Sequence, residues 1–301
     1  MWCRRRALSR RYNATVHGLL LTARPNLEVN RRLVEAAARL GLRLEILDGN
    51  RAVARIAGDG PGVAPPQGPP GVVLGRIGNW RPESLLAALE ALELAGWRTL
   101  NPSPAVRIGR DHWRTALVLA ARGLPVPETV AGADPEALAA AGARLGFPVV
   151  VKQRRSRMGI GVVRCGDRAH LEAVLDSLWR AGDELVVQRW IPGGERSHRL
   201  LVVDGEVVAA ARFSGVEGEW RSNAARGGRA EAFEPGRRER TLAVAAAEAI
   251  GLGVCGVDLL AGPEGPVVVE VNPSPGFRHL EAASGADVAG AIARALVARA
   301  R

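Results

Sequence analysis

The chain contains one lysine, Lys152, among 41 Lys and Arg residues. Arginine is a planar fork and lysine a compact charge on a slim stem, so a position that keeps lysine needs the smaller head. A phosphate oxygen in a tight pocket is such a target. Chance survival of one lysine is the plain alternative, and the residues around it argue against chance. Lys152 precedes the loop "QRRSRMGIG", where Gly159 and Gly161 let the backbone come close to a ligand. Free N–H groups in such a loop can cradle phosphate. An ordinary flexible hairpin would carry the same glycines. The third feature is acidic. In "CGVDLLAGPEGPVVVEVN", Asp258 and Glu270 each lie six residues from Glu264, so a hairpin turning there sets the two carboxylates opposite one another. Asn272 shares the face of Glu270, while Val271 points away. Directly opposed carboxylates repel. A hard cation held by oxygen ligands resolves this, and magnesium commonly takes carboxylates plus substrate phosphates. Two acids on a solvated face would show the same spacing, but the apolar neighbours on each strand speak against exposure. Lysine, glycine loop and acidic hairpin together read as a Mg-nucleotide site.

The elements that must position these residues follow from periodicity. Val16–Leu21 is a short apolar run, Asn26–Leu40 has helical spacing through Leu27, Leu33, Val34 and Ala37, and Leu42–Leu47 is a second strand. Strand, helix, strand argues for a parallel sheet with covering helices. Residues 57–71 are crowded with Gly and Pro and read as a loop; Val72–Leu74 is another strand, and Glu83–Ala95 a helix ended by Gly96. "NPSPAV" from Asn101 reads as a linker. Asp111–Arg122 is a helix, Val149–Lys152 and Ile160–Arg164 are strands around the loop, and Ala169–Ala181 is a helix. "ELVVQRWI" is a strand, followed by strands at Leu200–Val203 and Val207–Arg212 and a helix at Arg238–Ile250. Val254–Leu260 pairs with Val267–Asn272, and Gly285–Arg301 closes the chain as a helix.

Composition narrows the class. At 301 residues, 47% of them hydrophobic, the chain can bury about two domain cores. No apolar stretch spans a bilayer, and Leu242–Leu260 is broken by Glu248 and Asp258. The arginine-rich start lacks an apolar segment behind it and does not read as a secretory signal. Cys3, Cys165 and Cys255 are too few and too widely spaced for a disulfide framework or zinc site, which suits a reducing cytoplasm. The net charge of +10 invites a nucleic-acid reading, but the arginines are scattered and aromatics are only 4%. An arginine-biased composition is the simpler account.

These stretches carry a resemblance. "RIGNW" at Arg76, "PVVVKQRRSRMGIGVV", "VVDGEVVAAARFSGVEGEWRSNAARGG", "GVDLL" and "EVNPSPGFRHLE" are similar to the ATP-grasp ligases of the RimK type, the family of alpha-L-glutamate ligases. The resemblance runs from about Val16 to the C-terminal helix. It implies an α/β and α+β architecture, the ATP-grasp fold. In that reading residues 1–13 are a basic tail and 14–105 an N-terminal α/β domain. Residues 106–301 form the ATP-grasp domain, with a lid at about 125–190. It implies that Lys152 meets the ATP phosphates, that the loop 154–160 folds over them, with Gly159 and Gly161 in the nucleotide site, and that Gln188, Arg189, Trp190 and Ile191 hold adenine. Arg221, Ser222 and Asn223 match the stretch lining the phosphate and acyl site, so Lys152, Arg221 and Asn223 are the catalytic set. Asp258, Glu270 and Asn272 match the metal ligands, for two Mg²⁺ ions or Mn²⁺ in their place. Three positions depart from the family. His112 stands where a second phosphate-binding lysine is usual, Ser197 where an Asp meets the nucleotide sugar, with Glu195 near it as a substitute, and Arg189 where the hinge has an acid.

The resemblance implies a reaction in which ATP phosphorylates a carboxylate and an amine then displaces phosphate. L-glutamate is the expected amine. The acceptor is a protein C-terminus, a carrier protein or a carboxylate-bearing cofactor. An arginine-rich cleft (Arg155, Arg157, Arg189, Arg221, Arg226) would suit acidic substrates. No protein nucleophile is needed. Homo-oligomers are common in the family. A nucleotide-binding regulatory module without turnover is the competing reading, motivated by His112, Ser197 and Arg189. A basic RNA-associated protein is the third.

Overall fold

The computed structural model describes residues 16–65, 67–78, 80–155, 161–182, 184–193, 196–215 and 229–301. The chain opens β1 (Val16–Thr22), α1 (Glu28–Arg39), β2 (Leu42–Asp48), β3 (Val53–Ala57), β4 (Gly60–Ala64), β5 (Val72–Arg76), α2 (Pro82–Leu94) and β6 (Arg98–Thr99). β1, β2, β5 and β6 form a parallel sheet in the order β2-β1-β5-β6. On α1, Asn30, Leu33, Ala36 and Ala37 are buried, the stripe that helical spacing predicts. Residues 57–71, read from sequence as loop, instead contain β4, which pairs with β3 in a hairpin. Glycine and proline density hid it, because β3 is largely exposed and β4 has little apolar alternation to reveal a strand.

The middle of the chain carries α3 (Ser103–Gly109), α4 (His112–Ala121), β7 (Thr129–Ala131), α5 (Pro135–Ala143), β8 (Val149–Gln153), β9 (Val162–Cys165), α6 (Arg168–Arg180) and β10 (Leu185–Arg189). β7, β10, β8 and β9 make an antiparallel sheet in that order. Its own core holds Val149, Val151, Leu185 and Val187 against Leu138, Leu171 and Leu175 of the covering helices. Strand alternation then turns Val150 and Lys152 of β8, and Val186 and Gln188 of β10, to the other face.

The last third holds β11 (Arg196–Val203), β12 (Glu206–Ser214), β13 (Arg229–Ala232), α7 (Arg237–Ile250), β14 (Val254–Gly262), β15 (Gly265–Asn272), α8 (Arg278–Ser284) and α9 (Val288–Ala300). Its sheet runs β13-β12-β11-β14-β15, all antiparallel. α7 covers one face through Leu242, Ala243, Ala246 and Ala247. α9, whose Ala and Gly residues let backbones approach closely, lies between this sheet and the parallel one. One core therefore joins Leu20, Leu74 and Leu33 to Leu201, Val254, Phe277 and Ile292.

"NPSPAV", read as a linker, is instead buried and partly helical. Asn101, fully buried, donates through Nδ2 to Val254 O (2.7 Å) and Pro273 O (2.9 Å) and accepts from Val254 N at 2.8 Å. One side chain thus fixes the start of β14 and the chain just after β15, the two ends of the acidic hairpin. Replacing Asn101 by Ala leaves three buried main-chain groups without partners. At about 1 kcal/mol or more for each, Asn101→Ala should lose about 3 kcal/mol. Urea denaturation of the two proteins checks this, and a loss near zero would contradict the locking role.

Candidate active site

The hairpin β14–β15 turns over Pro263 and Glu264, with Gly262 paired to Gly265. Counted outward from this turn, Asp258 would face Val269. A bulge shifts the register after Leu259–Val268, so Asp258 pairs with Glu270 and Gly256 with Asn272. Val268 and Val271, three residues apart, both enter the core under α7, which only a bulged strand permits. The pairing expected from sequence is therefore present, while the turn sits half a residue from the expected centre and the bulge makes up the difference. Asp258, Glu270 and Asn272 share the face opposite that core. Asp258 is buried, and Asn272 Oδ1 accepts from Ser274 N at 2.9 Å.

Arg199 on β11 is the cross-strand neighbour of Asp258. It forms a two-pronged ion pair, Nε to Oδ1 at 2.6 Å and Nη2 to Oδ2 at 2.5 Å. Burial pulls the Arg199 guanidinium down, but the charge and hydrogen bonds of Asp258, with Glu270 nearby, hold it above its ordinary value. Among the described residues Glu270 has no such clasp. Burial raises its pKa first, the charge of Asp258 raises it further, and Arg199 and Lys152 pull it back.

Lys152 reaches this group from the other sheet. Its Nζ donates to Gln188 Oε1 at 2.7 Å, and Gln188 Nε2 donates to Thr129 Oγ1 at 2.9 Å. This chain of bonds crosses three strands and aims the ammonium. Burial draws Lys152 down to about 8, and Glu270 and Asp258 oppose that fall. Two cations from two sheets thus converge on two carboxylates. His112, the first residue of α4, donates its backbone N–H to Arg154 O at 2.9 Å. Burial lowers its pKa to about 3, Lys152 lowers it too, and Asp111 works the other way. The imidazole is neutral at physiological pH, so it does not replace the charge of a second lysine.

The remaining expected residues distribute as follows. Gly161 has φ +70°, and a Cβ there would strike the Gln153 side chain, so glycine is required. Gln188 is buried and committed to Lys152 and Thr129 through its side chain. The Arg189 N–H donates to Glu128 O at 2.8 Å, and its guanidinium pairs with Glu128 Oε2 at 2.5 Å. Trp190 stacks under Arg164, and Ile191 is buried near Gly262. Ser197 sits on β11 opposite Phe213. Of the arginines expected to serve acidic substrates, Arg155 pairs with Glu184 at 2.9 Å and Arg189 with Glu128, so both are neutralised locally. Gly159, Arg157, Glu195, Arg221, Ser222, Asn223 and Arg226 lie outside the described residues. Sequence reasoning missed Thr129 and the role of Arg199. The strand expected at Leu200–Val203 stops one residue short of Arg199, whereas β11 begins at Arg196.

The donor set suits magnesium. Two opposed carboxylates and an amide carbonyl offer oxygen only, and among the described residues no group of three or more His, Cys, Asp or Glu could hold a metal. Oxygen donors of this kind fit Mg²⁺, whose shell substrate phosphates and water would complete.

A family model described as the RimK-like ATP-grasp domain matches residues 109–296. The chain belongs to the RimK-like ATP-grasp family. It is therefore an ATP-dependent ligase by class. A protein of Stenotrophomonas maltophilia (strain K279a) named "Probable alpha-L-glutamate ligase" is 38% identical over 275 residues, covering 90% of this chain and 94% of that one. The RimK domain protein ATP-grasp from Sphaerobacter thermophilus DSM 20745 superposes with a TM-score of 0.74 at 25% identity, over 92% of this chain and 98% of that one. The ATP-grasp ligase PsnB, solved with a phosphomimetic variant of minimal precursor, Mg and ADP, gives a TM-score of 0.71 at 24% identity, over 95% of this chain and 99% of that one. The architecture is the ATP-grasp fold. No helix among the described residues is long and apolar enough to cross a membrane.

The burial of His112 has a consequence in acid. The unfolded chain protonates this residue as pH falls through 6.5, while the folded chain resists until about 3. Its contribution to stability is complete above pH 6.5 and is lost progressively below it. His112→Gln removes this loss, so its melting temperature should fall less than that of the wild type between pH 7 and pH 4.5. Melts at the two pH values check this, and an equal fall in both proteins would contradict it.

Proposed function

We propose that this protein is an ATP- and Mg²⁺-dependent carboxylate–amine ligase that joins L-glutamate to a carboxylate-bearing acceptor through an acyl phosphate. The observation that carries the reading is the convergence of Lys152 with the Asp258–Glu270 pair across two sheets. Phosphoryl transfer asks little covalent chemistry of a protein and much positioning and charge neutralisation. Asp258, Glu270 and Asn272 would hold Mg²⁺, two ions in the full complex, with Mn²⁺ able to stand in. Bound there, the metal supplies neutralisation of the β- and γ-phosphate oxygens. Lys152 places its ammonium on the same phosphates, steadied by Gln188 and Thr129. Arg199 keeps Asp258 ionised and aligned.

In the first step an acceptor carboxylate oxygen attacks the γ-phosphorus, the bond to the β–γ bridging oxygen breaks, and ADP leaves. In the second the glutamate amine attacks the acyl carbon, the bond to phosphate breaks, and inorganic phosphate leaves as the amine proton passes to solvent. Adenine lies along Gln188–Ile191 and the sugar near Ser197. Arg221, Ser222 and Asn223, with the loop of Gly159 and Gly161, attend the phosphates and the acyl group. Glutamate as the amine rests on the relatives named for it, and an acidic acceptor, peptide or cofactor, rests on the basic charge and on the ligases of this fold solved with a precursor peptide.

ADP release with L-glutamate and a cell-extract acceptor pool tests the reading. Lys152→Met should cut the rate by about 100-fold or more, the scale seen when one transition-state donor is removed. Lys152→Arg should not restore it, because a guanidinium fork does not fit where a point charge is used. Full activity in Lys152→Met would sink the proposal.

A further inference from the structure

Arg76 ends β5 and stands opposite Thr22, the last residue of β1. In the order β2-β1-β5-β6 the chain winds outward in both directions from this pair of strands. Open parallel sheets receive ligands at that switch point, outside the carboxyl ends of the strands. Here the crevice faces the loop that follows Asn272. Arg76 donates from Nη2 to Pro275 O at 3.0 Å and leans over the Phe277 ring, 5.8 Å from its centroid. Pro275 in turn packs over Gly256, the cross-strand partner of Asn272. Arg76 therefore reaches the edge of the site from the parallel sheet, and Lys152 from the four-stranded antiparallel one.

Two features of this corner lack an explanation within the protein. Arg76 is half-buried, and no acid among the described residues pairs with it. Burial alone lowers its pKa to about 10, with no neighbouring charge acting on it. A guanidinium taken out of water without a counter-ion is costly. Beside it, the Ser274 hydroxyl is buried and has no hydrogen-bond partner among the described residues. Arg110 meanwhile holds the turn after Arg76 by donating to the carbonyls of Ile77 and Gly78. The corner is held in place, and its polar groups want an anion.

We propose that Arg76 and the Ser274 hydroxyl form a subsite for the non-reacting carboxylate of the amino-acid substrate. The inference rests on the ligase reading above. The reacting acceptor carboxylate must lie with the γ-phosphate, between Lys152 and the Asp258–Glu270 pair, which leaves the Arg76 corner to the partner that brings the amine. A guanidinium fork matches a carboxylate in two-pronged geometry, and a hydroxyl adds a third donor.

The test uses the full-length protein. Arg76→Gln should raise the KM for L-glutamate in ADP release at least tenfold while the KM for ATP stays within twofold. Ser274→Ala guards against a folding artefact. It breaks no hydrogen bond among the described residues, so its melting temperature should hold or rise, yet its glutamate KM should still climb several-fold. A rise confined to the acceptor KM would overturn the assignment to the amino acid. Unchanged KM values for both substrates in both variants would overturn the subsite. A turnover-independent probe separates this inference from the ligase reading. Glutarate, a dicarboxylate without an amine, is titrated by NMR against wild type and Arg76→Gln. Glutarate binding that is lost in the variant supports the subsite even if no glutamate-dependent ADP appears. Equal binding to both proteins, or to neither, overturns it.

Discussion

Two carboxylates facing each other on paired strands, with Cβ atoms about 5 Å apart, repel strongly once water is removed. Asp258 and Glu270 are in that position because one extra residue bulges out of β15. Without the bulge Glu270 would pair with Val257 in the core and Asp258 with Val269. The protein meets the repulsion unevenly. Arg199 clamps Asp258 with two short hydrogen bonds, while Glu270 is left with a raised pKa and, among the described residues, the more distant help of Arg199 and Lys152. A buried pair of this kind adds little to stability. In the proposed function a further cation occupies it.

Much of the remaining architecture serves to bring opposite charge to this point. Lys152 belongs to a separate sheet with its own small core, and its ammonium is steered by Gln188 and Thr129. That sheet is tied back at its base, where Arg154 pairs with Asp111 at 2.6 Å and with Glu184 at 3.3 Å. Asp111 also caps α4, accepting from Trp113 N and Arg114 N. On the opposite side Asn101 pins the two ends of the acidic hairpin, and α9 wedges the parallel sheet against the five-stranded one. Arg76 thereby comes to rest on the loop that continues from Asn272.

The candidate residues were more legible than the geometry that brings them together. A lone lysine, a glycine loop and acids spaced around a Gly-Pro turn are local signals, and residue types alone convey them. The helices at 28–39, 112–121 and 237–250 were legible because each buries a periodic face. The bulge was not, since "PVVVEV" is apolar on both faces and its alternation is silent about register. Arg199 was hidden for a related reason: its partner Asp258 lies 59 residues away, across a strand pairing that no local pattern predicts. The "NPSPAV" stretch misled because proline and serine mark loops, and the buried three-bond role of Asn101 is tertiary. Arginines that looked like a cleft for acidic substrates proved, at Arg155 and Arg189, to answer acids brought near by folding.

The central claim is that the Asp258–Glu270 pair is a metal seat shared with nucleotide. Electron paramagnetic resonance of Mn²⁺ titrated into the protein with ADP measures it directly. The account predicts a saturable, ADP-dependent Mn²⁺ signal in the wild-type protein that is lost when both acids are replaced, as in Asp258→Asn with Glu270→Gln, while the variant keeps its fold by circular dichroism. An unchanged Mn²⁺ affinity in that folded variant would place the metal elsewhere and contradict the account.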